Sequence, residues 1–151
     1  MKFIRLMLIA TAALVASPTW AAGDECKLTI EANDQLQFNK KEMSVPASCE
    51  SVTVTLKHVG KMAKKVMGHN WVLTASDDFK AVAEAGTKSS LENDYLPQDD
   101  ERVIANTEVI GGGESTTVEF STEGLAGKEL TFFCSFPGHS SIMNGTFRVE
   151  E

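Results

Sequence analysis

The sequence predicts an all-β domain, a two-sheet sandwich with one short helical insertion. Two observations carry that reading. Strand-length runs recur from Lys27 to Glu150 with turn residues between them, and a single alanine-rich stretch interrupts the pattern.

Taken in order, Lys27–Glu31 alternates polar and apolar residues, and Gln35–Phe38 follows the turn-forming pair Asn33-Asp34. Ser51–His58 alternates over its whole length and puts Val52, Val54 and Leu56 on one face. Trp71–Thr74 is a further apolar run. Val103–Thr107 precedes the turn Gly111-Gly112-Gly113, and Ser115–Phe120 follows it. Leu130–Cys134 and Gly145–Glu150 complete the set. The exception, Ser76–Gly86, has Ser76 to cap it, acids in its first turn and Gly86 to stop it, and so predicts a helix of about three turns. The polar stretch from Thr87 to Glu101 reads as loop.

Residues 1–21 read as a secretory signal peptide. Lys2 and Arg5 precede a short apolar run that Ser17-Pro18 breaks, with cleavage placed after Ala21. That leaves residues 22–151 as one domain. The run is too short to span a bilayer, and no later segment is long enough. The chain carries 21 acidic against 14 basic residues, net −7. Removing a segment that holds Lys2 and Arg5 makes it more acidic still. Such a balance argues against nucleic acid or an anionic membrane as partner.

Three cysteines in an exported chain leave one over. Cys26 and Cys49 each flank a strand-like run and form the expected disulfide, worth ~3 kcal/mol in the chain-entropy model. Cys134 is then a free thiol, a liability in an oxidising compartment unless buried or metal-bound. It opens the stretch C-S-F-P-G-H-S-S-I-M, in which Pro137-Gly138 turns the chain and His139 and Met143 follow. One strand-to-strand loop therefore gathers a thiolate, an imidazole and a thioether. His69, in M-G-H-N before the Trp71 strand, is the best candidate for a fourth group.

Soft sulfur with imidazole favours copper, and two His, one Cys and a weak axial Met is the arrangement of blue-copper electron transfer. Singly, a buried Cys or Met is ordinarily core packing. Zinc is the rival metal, although structural zinc usually brings paired cysteines and methionine serves it poorly. A copper-delivery protein without redox duty is the alternative function, and it calls for an open, exchangeable site. A closed ligand set supplies no general acid or base and leaves no place for a small-molecule substrate, so the chain reads as no enzyme.

C-S-F-P-G-H-S-S-I-M and V-M-G-H-N-W-V-L together resemble the azurins, bacterial periplasmic cupredoxins. The likeness covers the whole mature chain and takes in N-D-Q-L-Q-F, N-D-Y-L and G-T-F-R-V. It implies a Greek-key cupredoxin sandwich that moves single electrons in the periplasm between partners such as c-type cytochromes and copper nitrite reductase. His69, Cys134 and His139 match the strong ligands of one Cu(I)/Cu(II) ion. Met143 matches the weak axial ligand, and Gly68 the residue whose carbonyl lies opposite it. Asn70 matches a residue that ties the two ligand loops, Phe136 packs beside them, and Cys26 and Cys49 match the family disulfide. The resemblance also places the His139 edge within an apolar docking patch of Leu36, Met62, Val66, Met67, Phe136, Pro137, Gly138 and Ile142.

Two features depart from the family. Val59-Gly60 follows His58, the match of a histidine that titrates beside the site without binding the metal, where many azurins have Pro. Asn106 stands where some carry a surface histidine. Lys57, Lys61, Lys64 and Lys65 cluster before Met67, as a ring around the patch or as a solvated loop.

Overall fold

A computed structural model describes residues 25–150. The segment read as a signal peptide lies outside the described residues. Nine strands form: β1 Lys27–Asn33, β2 Gln37–Phe38, β3 Glu42–Pro46, β4 Ser51–His58, β5 Val72–Ala75, β6 Val103–Asn106, β7 Ser115–Ser121, β8 Leu130–Phe133 and β9 Asn144–Glu150. One sheet runs β2-β1-β4-β7 and the other β3-β9-β8-β5-β6. The chain passes repeatedly from one sheet to the other, as a Greek-key sandwich requires. β1 pairs parallel with β4 and β3 parallel with β9, while the remaining pairs are antiparallel.

The alternation in Ser51–His58 becomes β4, whose Val52, Val54, Leu56 and His58 all point inward. They meet a core centred on Trp71, which packs against Phe120, Phe132 and Phe147 with ring centroids about 6 Å apart. Among the described residues the indole Nε1–H of Trp71 has no hydrogen-bond partner. β5 and β8 are buried on both faces. Leu73 and Phe132 face the main core, while Val72 and Phe133 belong to a second cluster with Val82, Ala83 and Leu96. The helical insertion exists to cover that outer face. The Cys26–Cys49 disulfide forms, joining the starts of β1 and β4.

Several details differ from expectation. The covering helix, α2, spans Phe79–Gly86 and is one turn shorter than predicted. Ser76 does not cap it: its N–H still bonds the Glu129 carbonyl and its Oγ bonds Thr131 Oγ1 at 2.8 Å, so it prolongs the β5 pairing with β8. Gly86 lies inside the helix, where a Cβ would stand 2.1 Å from the Tyr95 carbonyl oxygen; close approach, not a left-handed stop, requires glycine. Within Gln35–Phe38 only Gln37 and Phe38 are strand. The Asn33 side chain accepts the N–H groups of Gln35 and Gln37, and Leu36 takes φ +60° in the resulting turn. β3, which the sequence reading passed over, buries Met43 and Val45 at the sheet edge and ends on Pro46, a residue that edge strands tolerate. A single helical turn, α1 at Lys64–Met67, precedes the ligand loop, and a 3-10 turn at Leu91–Asn93 sits within the expected loop.

Candidate metal centre

The β4–β5 connection carries Gly68, His69 and Asn70, and the β8–β9 connection carries Cys134 through Met143. β5 and β8 are hydrogen-bonded neighbours, so both connections leave the same end of one sheet. His69 Nδ1 and His139 Nδ1 each lie 3.7 Å from Cys134 Sγ. The three donor atoms all fall within 4.8 Å of one another, and all three residues are buried.

Hydrogen bonds fix which ring nitrogen faces inward. A carbonyl only accepts, so His69 must carry its proton on Nε2 to bond the Asn33 carbonyl at 2.9 Å. That leaves the Nδ1 lone pair toward Cys134. His69 is further held by a two-way backbone bridge to Ile110, at 3.0 and 2.8 Å. His58 is arranged differently. Its Nε2–H meets the Met67 carbonyl at 2.8 Å and its Nδ1 accepts the Gly60 N–H, so both nitrogens are engaged. It stacks 4.6 Å from the His69 ring and stands outside the donor group.

The 134–143 loop folds on itself. His139 N–H bonds the Phe136 carbonyl, Met143 N–H bonds the His139 carbonyl at 2.8 Å, and Cys134 N–H bonds the Met143 carbonyl at 3.0 Å. The tight turn that Pro137-Gly138 announces is present, with Gly138 at φ +83°. Met143 is fully buried beside the group. Gly68 ends α1, and a Cβ there would stand 2.4 Å from the Lys64 carbonyl and 2.6 Å from Val109 Cγ1, so only glycine fits.

Asn70 joins the two loops. Its Oδ1 accepts the Ser135 N–H at 2.9 Å, and its Nδ2 donates to Ser135 Oγ at 2.7 Å and to the Asp94 carbonyl at 3.1 Å. Ser135 Oγ also donates to that carbonyl, and the Asp94 carboxylate accepts the Val109 N–H at 2.7 Å. Sequence reasoning missed Ser135 and Asp94. Ser135 carries one local sign, a small hydroxyl directly after Cys134; Asp94 carries only its place in N-D-Y-L, because it reaches both loops through a backbone carbonyl. Phe136 packs its ring 4.6 Å from His139 and edge-on to Tyr95 at 5.1 Å.

Electrostatics make the metal-free site neutral. Burial pushes the Cys134 thiol up to about 12, although the Asn70 and Phe136 amides pull the other way. Burial holds both His69 and His139 down near 4; for His69 the Asn33 carbonyl opposes it and the neighbouring imidazoles add to it. A thiol and two neutral imidazole lone pairs aimed at one point are a donor set awaiting a cation. A trigonal ion with bonds of about 2.1 Å keeps its donors about 3.6 Å apart, close to both sulfur–nitrogen separations. Thiolate with thioether at hand favours copper over zinc.

A family model of copper-binding proteins, the plastocyanin/azurin family, matches residues 24–150. The chain belongs to the plastocyanin/azurin family. It is 52% identical over 145 residues to an azurin of Achromobacter denitrificans, covering 93% of this chain and 96% of that one. Against the azurin of Pseudomonas aeruginosa the identity is 44% over 147 residues, covering 97% and 98%. A solved azurin from the obligate methylotroph Methylomonas sp. strain J superposes with a TM-score of 0.80 at 44% identity, over 83% of this chain and 98% of that one. Copper is the cofactor of this family member, and its function is blue-copper electron transfer.

The docking residues inferred from the sequence all sit on the connections at this end, Val66 and Met67 within α1. Met62, Val66, Pro137, Gly138 and Ile142 are exposed, while Leu36, Met67 and Phe136 are half-buried. Among the described residues no helix is long and apolar enough to cross a membrane.

Proposed function

We propose that His69, Cys134 and His139 would be the strong ligands of one copper ion, with Met143 as a weak thioether ligand and the Gly68 backbone carbonyl as a further weak one. The chain then carries single electrons between other redox proteins and is not itself an enzyme. The observation that supports this most directly is the pair of 3.7 Å separations between Cys134 Sγ and the two Nδ1 atoms in a water-excluding site.

Bound copper supplies the one-electron couple. The protein's part is to hold the donors still. Asn33 and Ile110 fix His69, the Met143 carbonyl fixes the Cys134 backbone, and Asn70 locks one loop to the other. Residues so constrained move little when the charge at the site changes by one, which keeps the barrier to electron exchange low. Because ligation requires the thiolate, Cys134 gives up its proton when copper enters. His139, the one donor residue with any exposure, at 6%, offers the shortest way out for the electron. The patch from Leu36 to Ile142 surrounds it as a dry contact surface, suited to c-type cytochromes or copper nitrite reductase.

Residues 1–21 act as an export signal released after Ala21, and residues 22–151 work in the periplasm as one cupredoxin domain. The test is Cu(II) addition followed by visible absorption and electron paramagnetic resonance. An intense blue band with narrow copper hyperfine splitting, bleached by a reductant and restored by an oxidant, is expected. A pale species that does not cycle would remove Cys134 from the copper and leave a copper-binding module of another kind.

A further inference from the structure

Among the described residues the exposed large apolar side chains are Val59 at 56%, Met62 at 39%, Val66 at 59% and Ile142 at 51%. All four lie on the two connections that carry the donor set. The formal charges on those connections are Lys61, Lys64 and Lys65, with no acid between Val59 and Trp71 or between Cys134 and Met143. These two connections therefore oppose the net charge of −7 borne by the chain.

The lysines are not equivalent. Lys57 sits on β4 in register with Glu31 of β1. Lys64 is half-buried and lines a groove that Glu108 and Glu114 also line, so it is less available to a partner than an exposed lysine. Lys61 and Lys65 are exposed, and neither forms a salt bridge among the described residues. Asp34, on the neighbouring β1–β2 turn, is already engaged by this loop: its carboxylate accepts the Lys61 N–H at 2.8 Å and the Met62 N–H at 3.3 Å.

The segment that displays these residues buries nothing in α1 and yet is tightly held. Asp34 caps its start, the Met62 carbonyl accepts the Gly112 N–H, and the Met67 carbonyl accepts the His58 ring N–H. A Cβ on Gly112 would stand 2.5 Å from Lys61 backbone atoms, and one on Gly111 would stand 2.7 Å from the Lys64 nitrogen. Two glycines thus let the loop seat closely. A lysine loop fixed in this way presents its charges with little entropy left to lose on docking.

We propose that this face docks a redox protein whose contact surface pairs an apolar centre with a rim of carboxylates, and that Lys61 and Lys65 steer it there against the unfavourable net charge. The proposal rests on the electron-carrier reading above. Rim charges act chiefly on the rate of encounter and fade as salt shortens the Debye length to about 10 Å at 0.1 M. A second copy of the chain fits the face less well, since a two-fold contact brings identical lysines toward one another.

The experiment is stopped-flow electron transfer between the copper-loaded, oxidised protein and two reduced c-type cytochromes, one with an acidic haem-edge face and one with a basic face. One electron leaves the haem and reduces the copper site in each encounter. With the acidic-faced cytochrome the second-order rate constant is expected to fall as ionic strength rises. The double variant Lys61→Glu/Lys65→Glu should cut it about tenfold at low ionic strength and reverse the slope, with the blue band unchanged. Glu123→Lys, in the turn that follows the far end of β7, should leave the slope as it was. A rate that rises with salt, a double variant matching the parent, or faster transfer with the basic-faced cytochrome would overturn the proposal. So would sedimentation of the parent as a dimer that the double variant breaks. A protein that ascorbate reduces but that exchanges with neither cytochrome at any salt would instead overturn the carrier reading.

Discussion

Asn70 and Ser135 clasp each other twice, through Ser135 N–H to Asn70 Oδ1 at 2.9 Å and Asn70 Nδ2 to Ser135 Oγ at 2.7 Å. Asn70 directly follows His69 and Ser135 directly follows Cys134, so the clasp sets the distance between two donors from different loops. Asn70→Ala leaves the Ser135 N–H buried without its acceptor. Such a group costs about 1–3 kcal/mol. The expected result is that much lost stability in a denaturant titration, together with a shifted copper potential. Ser135→Ala removes only the hydroxyl and should cost less. An Asn70→Ala protein with parental stability and parental potential would show that the clasp positions nothing.

The pH dependence of the metal-free protein follows from the buried donors. His69 and His139 bind protons near 4 in the folded chain and near 6.5 when unfolded. Between those values the unfolded state holds more protons, so stability falls as pH drops from 6.5 toward 4. The Cys134 thiol shifts the other way, from 9.0 to about 12, so the unfolded state loses its proton first and stability falls again as pH rises above 9. The metal-free protein should therefore melt highest on a plateau from about pH 6.5 to 9. Copper adds stability by mass action and should raise and flatten the curve until acid displaces it. Thermal melts of both forms across this range check the prediction, and a metal-free maximum near pH 5 would contradict it.

Cys134→Ser separates the site from the fold. Serine is nearly isosteric, and in its buried position its hydroxyl faces the same two Nδ1 atoms that lie 3.7 Å from the sulfur in the parent. The fold should survive with a loss of about 1–2 kcal/mol, while the intense blue band, which needs a thiolate, disappears. Circular dichroism and the visible spectrum of the copper-treated variant read the two effects independently. A variant that stayed blue would place the chromophore elsewhere.

Much of this centre was legible because its chemistry is local. Cys134, His139 and Met143 lie within ten residues and their types name the metal. His69 was legible because M-G-H-N stands directly before an apolar strand, and β5 then pairs with the strand that ends at Cys134. The braces were hidden because they are long-range: Asp94 reaches Asn70 and Ser135 through a backbone carbonyl, which any residue type possesses. β3 was hidden because it ends in proline and leans on the distant β9 for its pairing. The start of α2 was misplaced because Ser76, a good capping residue, finds a better partner in Thr131 across the sheet.

Met143 poses the last test, since it is both a buried side chain and the proposed weak ligand. Its fully covered position means that Met143→Ala opens a cavity, and deletions of this size cost about 2–5 kcal/mol. If its thioether binds only weakly, the other three donors still define the chromophore. The variant should then bind copper, remain coloured and change its reduction potential, because a soft axial donor tunes the couple without holding the ion. Met143→Leu refills most of the cavity and should recover most of the stability but not the parental potential. The two variants together separate packing from ligation. Potential and stability recovered in parallel by leucine would make Met143 a core residue alone, and loss of copper from both variants would make it a strong ligand.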